Sequence, residues 1–97
     1  MYQAAFHPQV DKDLSRIDIS VRRQIRDKHI PKILQNPREA GKNLSGSLAG
    51  LKSYHFTANR VEYRMVYDII EETVVVLFLM VGPRENFYTR LLRRVTG

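Results

Sequence analysis

The apolar residues of the chain follow two different periods, and the change lies near residue 51. In the N-terminal half they recur every three or four positions, as on one side of a helix, for example at Val10, Leu14 and Ile17. From Leu51 onward they alternate with polar residues, as in half-buried strands. We therefore predict two helices followed by three strands over residues 51–57, 60–70 and 73–81, with a short first strand over residues 2–6.

The ends of these elements are predicted from capping and helix-breaking residues. Ser20 has the side chain of an N-cap and is expected to begin the second helix. Pro31 has no backbone N–H to donate, so we expect that helix to kink near residues 27–31. Residues 38–50 contain three glycines and are predicted to form a loop that is pinned to the core. Asn86 is expected to cap a closing helix.

The three predicted strands are joined by tight turns, the first at Ala58-Asn59, and should form an antiparallel meander. The last strand is apolar on both sides, which is typical of a central strand that is covered on both faces. The middle strand alternates, with Tyr63 and Tyr67 on one side and Arg64 on the other. Arg64 is therefore expected on the face opposite the aromatic core.

The length of 97 residues suits one domain with a single two-layer core. With the element order, it predicts an α+β fold over residues 1–97: a small antiparallel sheet, two N-terminal helices packed on one face and a short C-terminal helix. The absence of cysteine excludes a disulfide scaffold and a thiolate zinc site. We find no signal-peptide pattern, and the longest apolar run is too short to span a bilayer, so a cytoplasmic protein without a membrane partner is expected.

Basic residues outnumber acidic ones, with 16 Lys and Arg against 10 Asp and Glu and a net charge of +6. Such a chain needs a polyanionic partner. Nucleic acid is the first candidate, because neutralisation of phosphates by Lys and Arg supplies most of the non-specific affinity. An acidic protein partner would satisfy the same charge, so composition leaves both partners open.

The residue pattern gives no support to several kinds of catalytic site. The three histidines are too far apart in sequence to form a ligand-spaced pair, so neither a metal site nor a cofactor is predicted. Among them, His29 is expected at the helix surface or at the edge of the core. Residues 46–50 lack the lysine and the strand-to-helix setting of a phosphate-binding loop. No serine lies in a nucleophile elbow.

What remains is a group of cationic and proton-transferring residues on neighbouring strands and at the start of the last helix. They are Lys52, His55, Arg64, Arg84 and Tyr88. Metal-free cleavage of RNA needs a base for the 2′-hydroxyl, cations at the phosphorane and an acid for the leaving 5′-oxygen. The arginines would supply the charge, and either Tyr88 or His55 the proton transfer. The alternative is a solvated basic face, with Tyr88 packed against the sheet.

At these residues the chain resembles the RelE/ParE superfamily of toxins from bacterial and archaeal toxin–antitoxin pairs. The resemblance extends over nearly the whole length and rests on the order and spacing of short motifs. The motifs are Phe6-His7-Pro8, Asn36-Pro37, Leu44-Ser45-Gly46, Leu51-Lys52-Ser53-Tyr54-His55, Tyr63-Arg64-Met65-Val66-Tyr67 and Val81-Gly82-Pro83-Arg84-Glu85, followed by Tyr88. The resemblance implies the superfamily's fold, a small antiparallel sheet with two N-terminal helices on one side, similar to that of microbial ribonucleases.

The RelE branch implies a ribosome-dependent endoribonuclease, or mRNA interferase, that cuts mRNA by 2′-hydroxyl attack and inhibits translation. Arg64 and Arg84 match the two arginines of that branch, and Tyr88 matches its aromatic acid/base position. His55 remains a second acid/base candidate, because its reference pKa needs little tuning. The residues assigned to substrate binding are Lys52, Arg60 and Arg90. The implied partners are a cognate antitoxin, mRNA and the ribosome.

Two other functions stay open for the same sequence. The ParE branch shares the fold but poisons DNA gyrase through protein contact, generally without the full cationic and aromatic set. A degenerate toxin would bind its antitoxin and have no catalytic activity. The presence of Arg64, Arg84 and Tyr88 together favours the nuclease over both.

Overall fold

The computed structural model describes all 97 residues and contains one five-stranded sheet and five short α-helices. The strands are β1 (Gln3–Phe6), β2 (Lys42–Asn43), β3 (Lys52–Ala58), β4 (Val61–Ile70) and β5 (Val75–Pro83). The helices are α1 (Val10–Ser15), α2 (Ile19–Gln24), α3 (Ile30–Gln35), α4 (Pro37–Ala40) and α5 (Phe87–Thr96). None of these helices combines the length and the apolar character that crossing a membrane requires. The predicted α+β class is confirmed.

The strands are arranged in the order β1-β5-β4-β3-β2. The predicted antiparallel meander of β3, β4 and β5 is confirmed, with bounds displaced by one or two residues. β1 lies parallel to β5, so β5 has a neighbouring strand on each side. The first hairpin turns at Asn59 and Arg60 rather than at Ala58-Asn59. Both turn residues have left-handed backbones, with φ of 51° and 65°, which is the geometry that matches the twist of paired strands.

The two faces of the sheet carry separate apolar cores. On the first, here called the helix face, α1 to α3 cover the aromatic side chains of the sheet, among them the fully buried Tyr67 and Phe78. On the second, here called the site face, Phe87 and Leu91 of α5 pack against Val66. The last strand is therefore apolar on both sides because both sides are covered, as predicted.

The second predicted helix consists of α2, a π-helical turn over Ile25–His29 and α3. Its cap is Asp18, whose carboxylate accepts a hydrogen bond from the backbone N–H of Ser20. The predicted cap at Ser20 is wrong, because Asp18 has the non-helical backbone of a cap and Ser20 already lies inside the helix. The π-helical turn stands where the kink was expected, next to Pro31, whose missing N–H interrupts the regular ladder.

Residues 38–50 have more regular structure than the predicted loop. They include the end of α4, strand β2 and a 3₁₀ turn over Gly46–Leu48. Gly41 precedes β2 at a close approach, since the hydroxyl of Tyr67 would lie 2.6 Å from a Cβ atom at that position. A strand of two residues has no measurable period, so only its pairing with β3 defines it.

The last part of β5 extends beyond the end of β1 and has no neighbouring strand on that side. An ion pair covers this edge and fixes the position of α5. Arg94 of α5 and Asp13 of α1 are joined by two hydrogen bonds of 2.7 and 2.8 Å. Arg94 also donates to the carbonyl of Leu79, and the N–H of Val81 donates to Asp13. These bonds satisfy strand groups that have no neighbouring strand. They hold the last helix over the site face.

The last helix begins without a side-chain cap. Asn86 stands at the cap position, but its backbone is left-handed and its side chain accepts no hydrogen bond from the helix. The predicted cap is wrong, because a capping side chain needs an extended backbone at that position. Phe87 anchors the first turn instead, with 1% of its surface exposed.

Candidate active site

The site face gathers polar side chains where β3, β4 and α5 meet. The register of β3 and β4 places His55 directly opposite Arg64, and it places Ser53 opposite Val66, one pair further along the same face. On the other side of β4, Gly82 is the partner of Arg64. Directly opposite residues in a sheet point their side chains to the same face. The prediction that Arg64 lies opposite the aromatic core is confirmed.

Tyr88 joins this group from the first turn of α5. Its hydroxyl donates to Ser53 Oγ at 3.1 Å and lies 3.5 Å from His55 Nε2. Ser53 Oγ and His55 Nε2 are hydrogen bonded at 2.9 Å. The three groups therefore form one chain of proton-exchanging atoms. Ser53 is a member that the sequence analysis missed, although its separation of two residues from His55 on a strand indicates a shared face.

Arg64 lies in the centre of this arrangement. Its guanidinium carbon is 4.8 Å from the centre of the Tyr88 ring, within the range of a cation–π contact. The side chain is 17% exposed, and its Nε atom is buried without a hydrogen-bond partner. Arg64 is therefore a mostly buried cation whose guanidinium packs on the ring of Tyr88.

Glu62 is the acidic residue of this cluster, and the sequence analysis missed it. One of its oxygens, Oε1, lies 3.6 Å from Arg64 Nη2 and 3.9 Å from His55 Nδ1. The other, Oε2, accepts a hydrogen bond of 3.3 Å from Arg84 Nη1. The signal was present in the sequence, because Glu62 and Arg64 are two residues apart on a predicted strand and must share a face.

Arg84 follows directly on β5 and is tied to β4 by its backbone, whose N–H donates to the carbonyl of Glu62 at 3.0 Å. Its side chain is 67% exposed. Arg84 and Arg64 thus approach the same carboxylate, one from solvent and one from the protein interior.

The pKa of His55 lies below its ordinary value of 6.5. Burial is the largest cause, since it disfavours the charged imidazolium, and the positive charge of Arg64 acts in the same direction. Glu62 opposes both by raising the pKa, while Lys42 lowers it further. His55 is consequently neutral at neutral pH and able to accept a proton.

The remaining predicted residues lie outside this cluster. Lys52 is on the helix side of β3, where it donates a hydrogen bond of 2.8 Å to Asn43 Oδ1. Arg60 lies in the β3–β4 turn beside a surface cleft of about 550 Å³ that Arg84 also lines. Arg90 lies one turn beyond the start of α5, near Gly82. Of the three, Arg60 and Arg90 border the site face and Lys52 does not.

His29 belongs to the helix face. Its Nδ1 shares a hydrogen bond of 2.8 Å with the hydroxyl of Tyr54, and its ring stacks on Phe56 with 3.9 Å between centroids. It is buried, and so lies deeper than the predicted surface or core-edge position. The reason is that two aromatic side chains of β3 enclose it, which a single helix pattern does not reveal.

The fold is that of a small toxin. A model of ParE-like toxins of type II bacterial toxin–antitoxin systems matches residues 5–92, and the chain belongs to that family. The predicted membership of the RelE/ParE superfamily is confirmed.

Relatives of known name and structure agree with this assignment. The mRNA interferase toxin RelE of Escherichia coli K12 is 29% identical over 96 residues, which are 97% of both chains. A double mutant of E. coli RelE in the free state superimposes with a TM-score of 0.75 at 29% identity, covering 97% of each chain. The toxin–antitoxin complex RelBE2 of Mycobacterium tuberculosis contains a chain with a TM-score of 0.76 at 25% identity, covering 86% of this chain and 98% of that one.

Proposed function

We propose that this toxin is an endoribonuclease of the RelE type, which cuts mRNA on the ribosome without a metal ion and so inhibits translation. The observation that carries the proposal is the setting of Arg64, a mostly buried cation that stacks on Tyr88 and stands opposite His55. A scissile phosphate is the anion that would complete it, because guanidinium groups match phosphate geometry. The E. coli relative is an mRNA interferase, which supports the same chemistry.

In the proposed reaction, the 2′-oxygen attacks the adjacent phosphorus and the bond from phosphorus to the 5′-oxygen breaks. The products are a cyclic phosphate and a free 5′-hydroxyl. Negative charge grows on the non-bridging oxygens in the transition state. Arg64 would neutralise it from the buried side and Arg84 from the solvent side, since guanidinium groups match phosphate in charge and geometry.

Two proton transfers accompany this step, one from the 2′-hydroxyl and one to the leaving 5′-oxygen. We assign the first to His55, because its lowered pKa keeps the imidazole neutral. We assign the second to the hydroxyl of Tyr88. Ser53 lies between the two, at 2.9 Å from His55 Nε2 and 3.1 Å from the Tyr88 hydroxyl. Its hydroxyl can return the proton from His55 to Tyr88 after turnover.

A cognate antitoxin is the second proposed partner. Similar solved structures include toxin–antitoxin complexes from E. coli, M. tuberculosis and Pyrococcus horikoshii. The net charge of +6 suits an acidic partner segment as well as RNA. We propose that the toxin acts in the cytoplasm and is neutralised there by such a partner.

A translation extract with a defined mRNA, analysed by primer extension, tests the proposed function. The wild-type protein should produce cuts within codons, and these cuts should disappear when ribosomes are omitted. Intact mRNA in the complete extract would contradict the proposal.

The gyrase-directed function is the second candidate, because the matching family model is that of ParE-like toxins. It predicts gyrase-linked breaks in plasmid DNA, measured by relaxation and linearisation with purified gyrase, and no change in the mRNA. A toxin that has lost catalysis would give neither result.

A further inference from the structure

The carboxylate of Glu62 approaches both arginines and the histidine that the proposed reaction needs. Oε1 lies 3.6 Å from Arg64 Nη2, and Oε2 lies 3.3 Å from Arg84 Nη1. His55 Nδ1 is 3.9 Å from Oε1. No other carboxylate forms an ion pair with either arginine. Glu62 is therefore the one acidic residue of the chain that offsets part of the positive charge of Arg64 and Arg84 in the free protein.

This arrangement matches what a phosphate diester would require of the same arginines. A phosphate diester has two non-bridging oxygens, and the two oxygens of Glu62 each approach a different arginine. Carboxylate and phosphate accept hydrogen bonds from guanidinium in similar geometry. A phosphate placed between Arg64 and Arg84 would thus need the place that Glu62 occupies, and it would meet a like charge if the carboxylate stayed.

The backbone of Glu62 is fixed, whereas its side chain has room to move. The carbonyl of Glu62 accepts a hydrogen bond from Arg84 N, and the residue pairs with Thr57 across the hairpin. The tight turn at Asn59 and Arg60 comes just before it. The side chain is 36% exposed, so a change of rotamer can take the carboxylate into solvent without breaking a strand hydrogen bond.

We propose that Glu62 is a built-in competitor for the phosphate site, which the scissile phosphate of RNA must displace. The identity of that phosphate rests on the proposed function, but the competition itself does not. When Glu62 is displaced, its weak, partly exposed ion pairs are lost. RNA can offset this loss because it has several phosphates that contact the basic surface, whereas a single small anion cannot. Glu62 would thereby reduce the occupancy of the site by the free inorganic phosphate of the cell.

Titration with inorganic phosphate tests this competition directly. The binding is followed by NMR through the ring signals of His55, at neutral pH and constant ionic strength. Glu62→Gln keeps the size of the side chain and removes its charge, and it should bind phosphate roughly tenfold tighter than the wild type. The matched control is Glu85→Gln, which removes an equal charge next to Arg84 from a residue that forms no ion pair. Its affinity should change by less than about twofold.

Two results would overturn the competitor role. One is an affinity of Glu62→Gln that equals or falls below that of the wild type, with a circular dichroism spectrum that shows a folded protein. The other is an equal gain in Glu85→Gln, which would assign the effect to net charge. As a further measurement, the gain should shrink in an Arg84→Ala background, because one of the two freed arginines is then missing.

This test is independent of the proposed function. If phosphate affinity rises in Glu62→Gln but the wild-type protein leaves mRNA intact in the translation extract, the nuclease function is contradicted and the competitor role of Glu62 is supported. If the wild-type protein cleaves mRNA and Glu62→Gln binds phosphate no more tightly, the nuclease function is supported and the competitor role of Glu62 is contradicted.

Discussion

The helix face and the site face each contain a histidine whose pKa is lowered by burial, yet the two histidines have different surroundings. On the helix face, His29 is enclosed by Tyr54 and Phe56 and bonded inside the core. On the site face, His55 is partly exposed and bonded to Ser53, next to charged groups. The same residue type contributes to packing on one face and is accessible for chemistry on the other.

Tyr67 on the helix face and Arg64 on the site face show a similar difference. The buried hydroxyl of Tyr67 donates to the carbonyl of Pro37 at 2.7 Å, so both groups are satisfied within the helix face. On the site face, the guanidinium of Arg64 has only a long ion pair of 3.6 Å with the partly exposed Glu62. A long, partly exposed ion pair contributes little to stability. Mutations on the two faces should therefore affect different measurements.

Arg64→Ala should give the largest effect, a loss of mRNA cleavage of about 10²-fold or more, as expected when a transition-state donor is removed. The free energy of unfolding should change little, because the deleted guanidinium forms only a long ion pair of 3.6 Å with Glu62. Cleavage is measured by primer extension, and unfolding by chemical denaturation. Arg93→Ala, an equal change of charge on the exposed side of α5, is the control. Growth arrest that persists in Arg64→Ala cells would contradict the assignment.

Tyr88→Phe should lower cleavage by about 10²-fold if the hydroxyl protonates the leaving group. The ring remains, so the contact with Arg64 and the packing against Phe87 are kept. The measurement is the single-turnover rate in the translation extract, with melting temperature as the check on folding. A wild-type rate in this variant would show that the Tyr88 hydroxyl does not transfer the proton to the leaving group. His55 would then be the first candidate for that transfer.

Tyr67→Phe tests the helix face. It leaves the carbonyl of Pro37 buried without its donor, which should destabilise the fold by about 1–3 kcal/mol. Cleavage per folded molecule should stay at the wild-type level. Chemical denaturation measures the first quantity and primer extension the second. A variant with full stability and lost cleavage would show that the two faces are not separate in function.

Tyr67 also predicts how the stability of the fold changes at alkaline pH. Burial raises the pKa of Tyr67 from 10.0 to about 12, which favours the neutral phenol in the folded state. Its stabilising contribution is complete below the unfolded pKa of about 10 and is lost as the pH rises through the folded value. Stability should therefore fall between these two values in the wild type, and it should fall less steeply in Tyr67→Phe.

The smallest effects are expected at acidic pH. There His29 should affect the stability of the fold and His55 the rate of cleavage. Both have a pKa below 6.5, so the unfolded chain binds protons first as the pH falls. The contribution of His29 to stability is present above the unfolded pKa and declines below it, and His29→Gln should flatten this decline. Cleavage should fall at lower pH, as the pKa of His55 is crossed. Stability curves and pH–rate profiles, compared between wild type and His29→Gln, check both.

Much of the fold and part of the site could be predicted from local patterns. Alternation along the middle strand placed Arg64 away from the aromatic core, as observed. The same rule separates Lys52 from His55, because an odd number of steps along a strand leads to the opposite face. It would also have identified Glu62. These are properties of a single strand, and the period alone decides them.

The capping residues were less predictable, since capping depends on the backbone conformation of the residue. Ser20 and Asn86 are both residue types that favour helix starts, yet Ser20 lies inside α2 and Asn86 has a left-handed backbone. Asp18 carries out the first of these roles. Several adjacent residues can serve as a cap, and the packing of the helix determines which one does.

By itself, the sequence determined the strand periods, the positive charge and the chemical types of the site residues, because these follow from neighbouring positions along the chain. The tertiary structure decided which of these residues meet. Asp13 and Arg94 are 81 residues apart, and their ion pair holds α5 so that Tyr88 reaches Ser53 and His55. The parallel placement of β1 beside β5 is decided in the same way. Such contacts depend on the fit of distant surfaces and on paired buried charges, which no local period encodes.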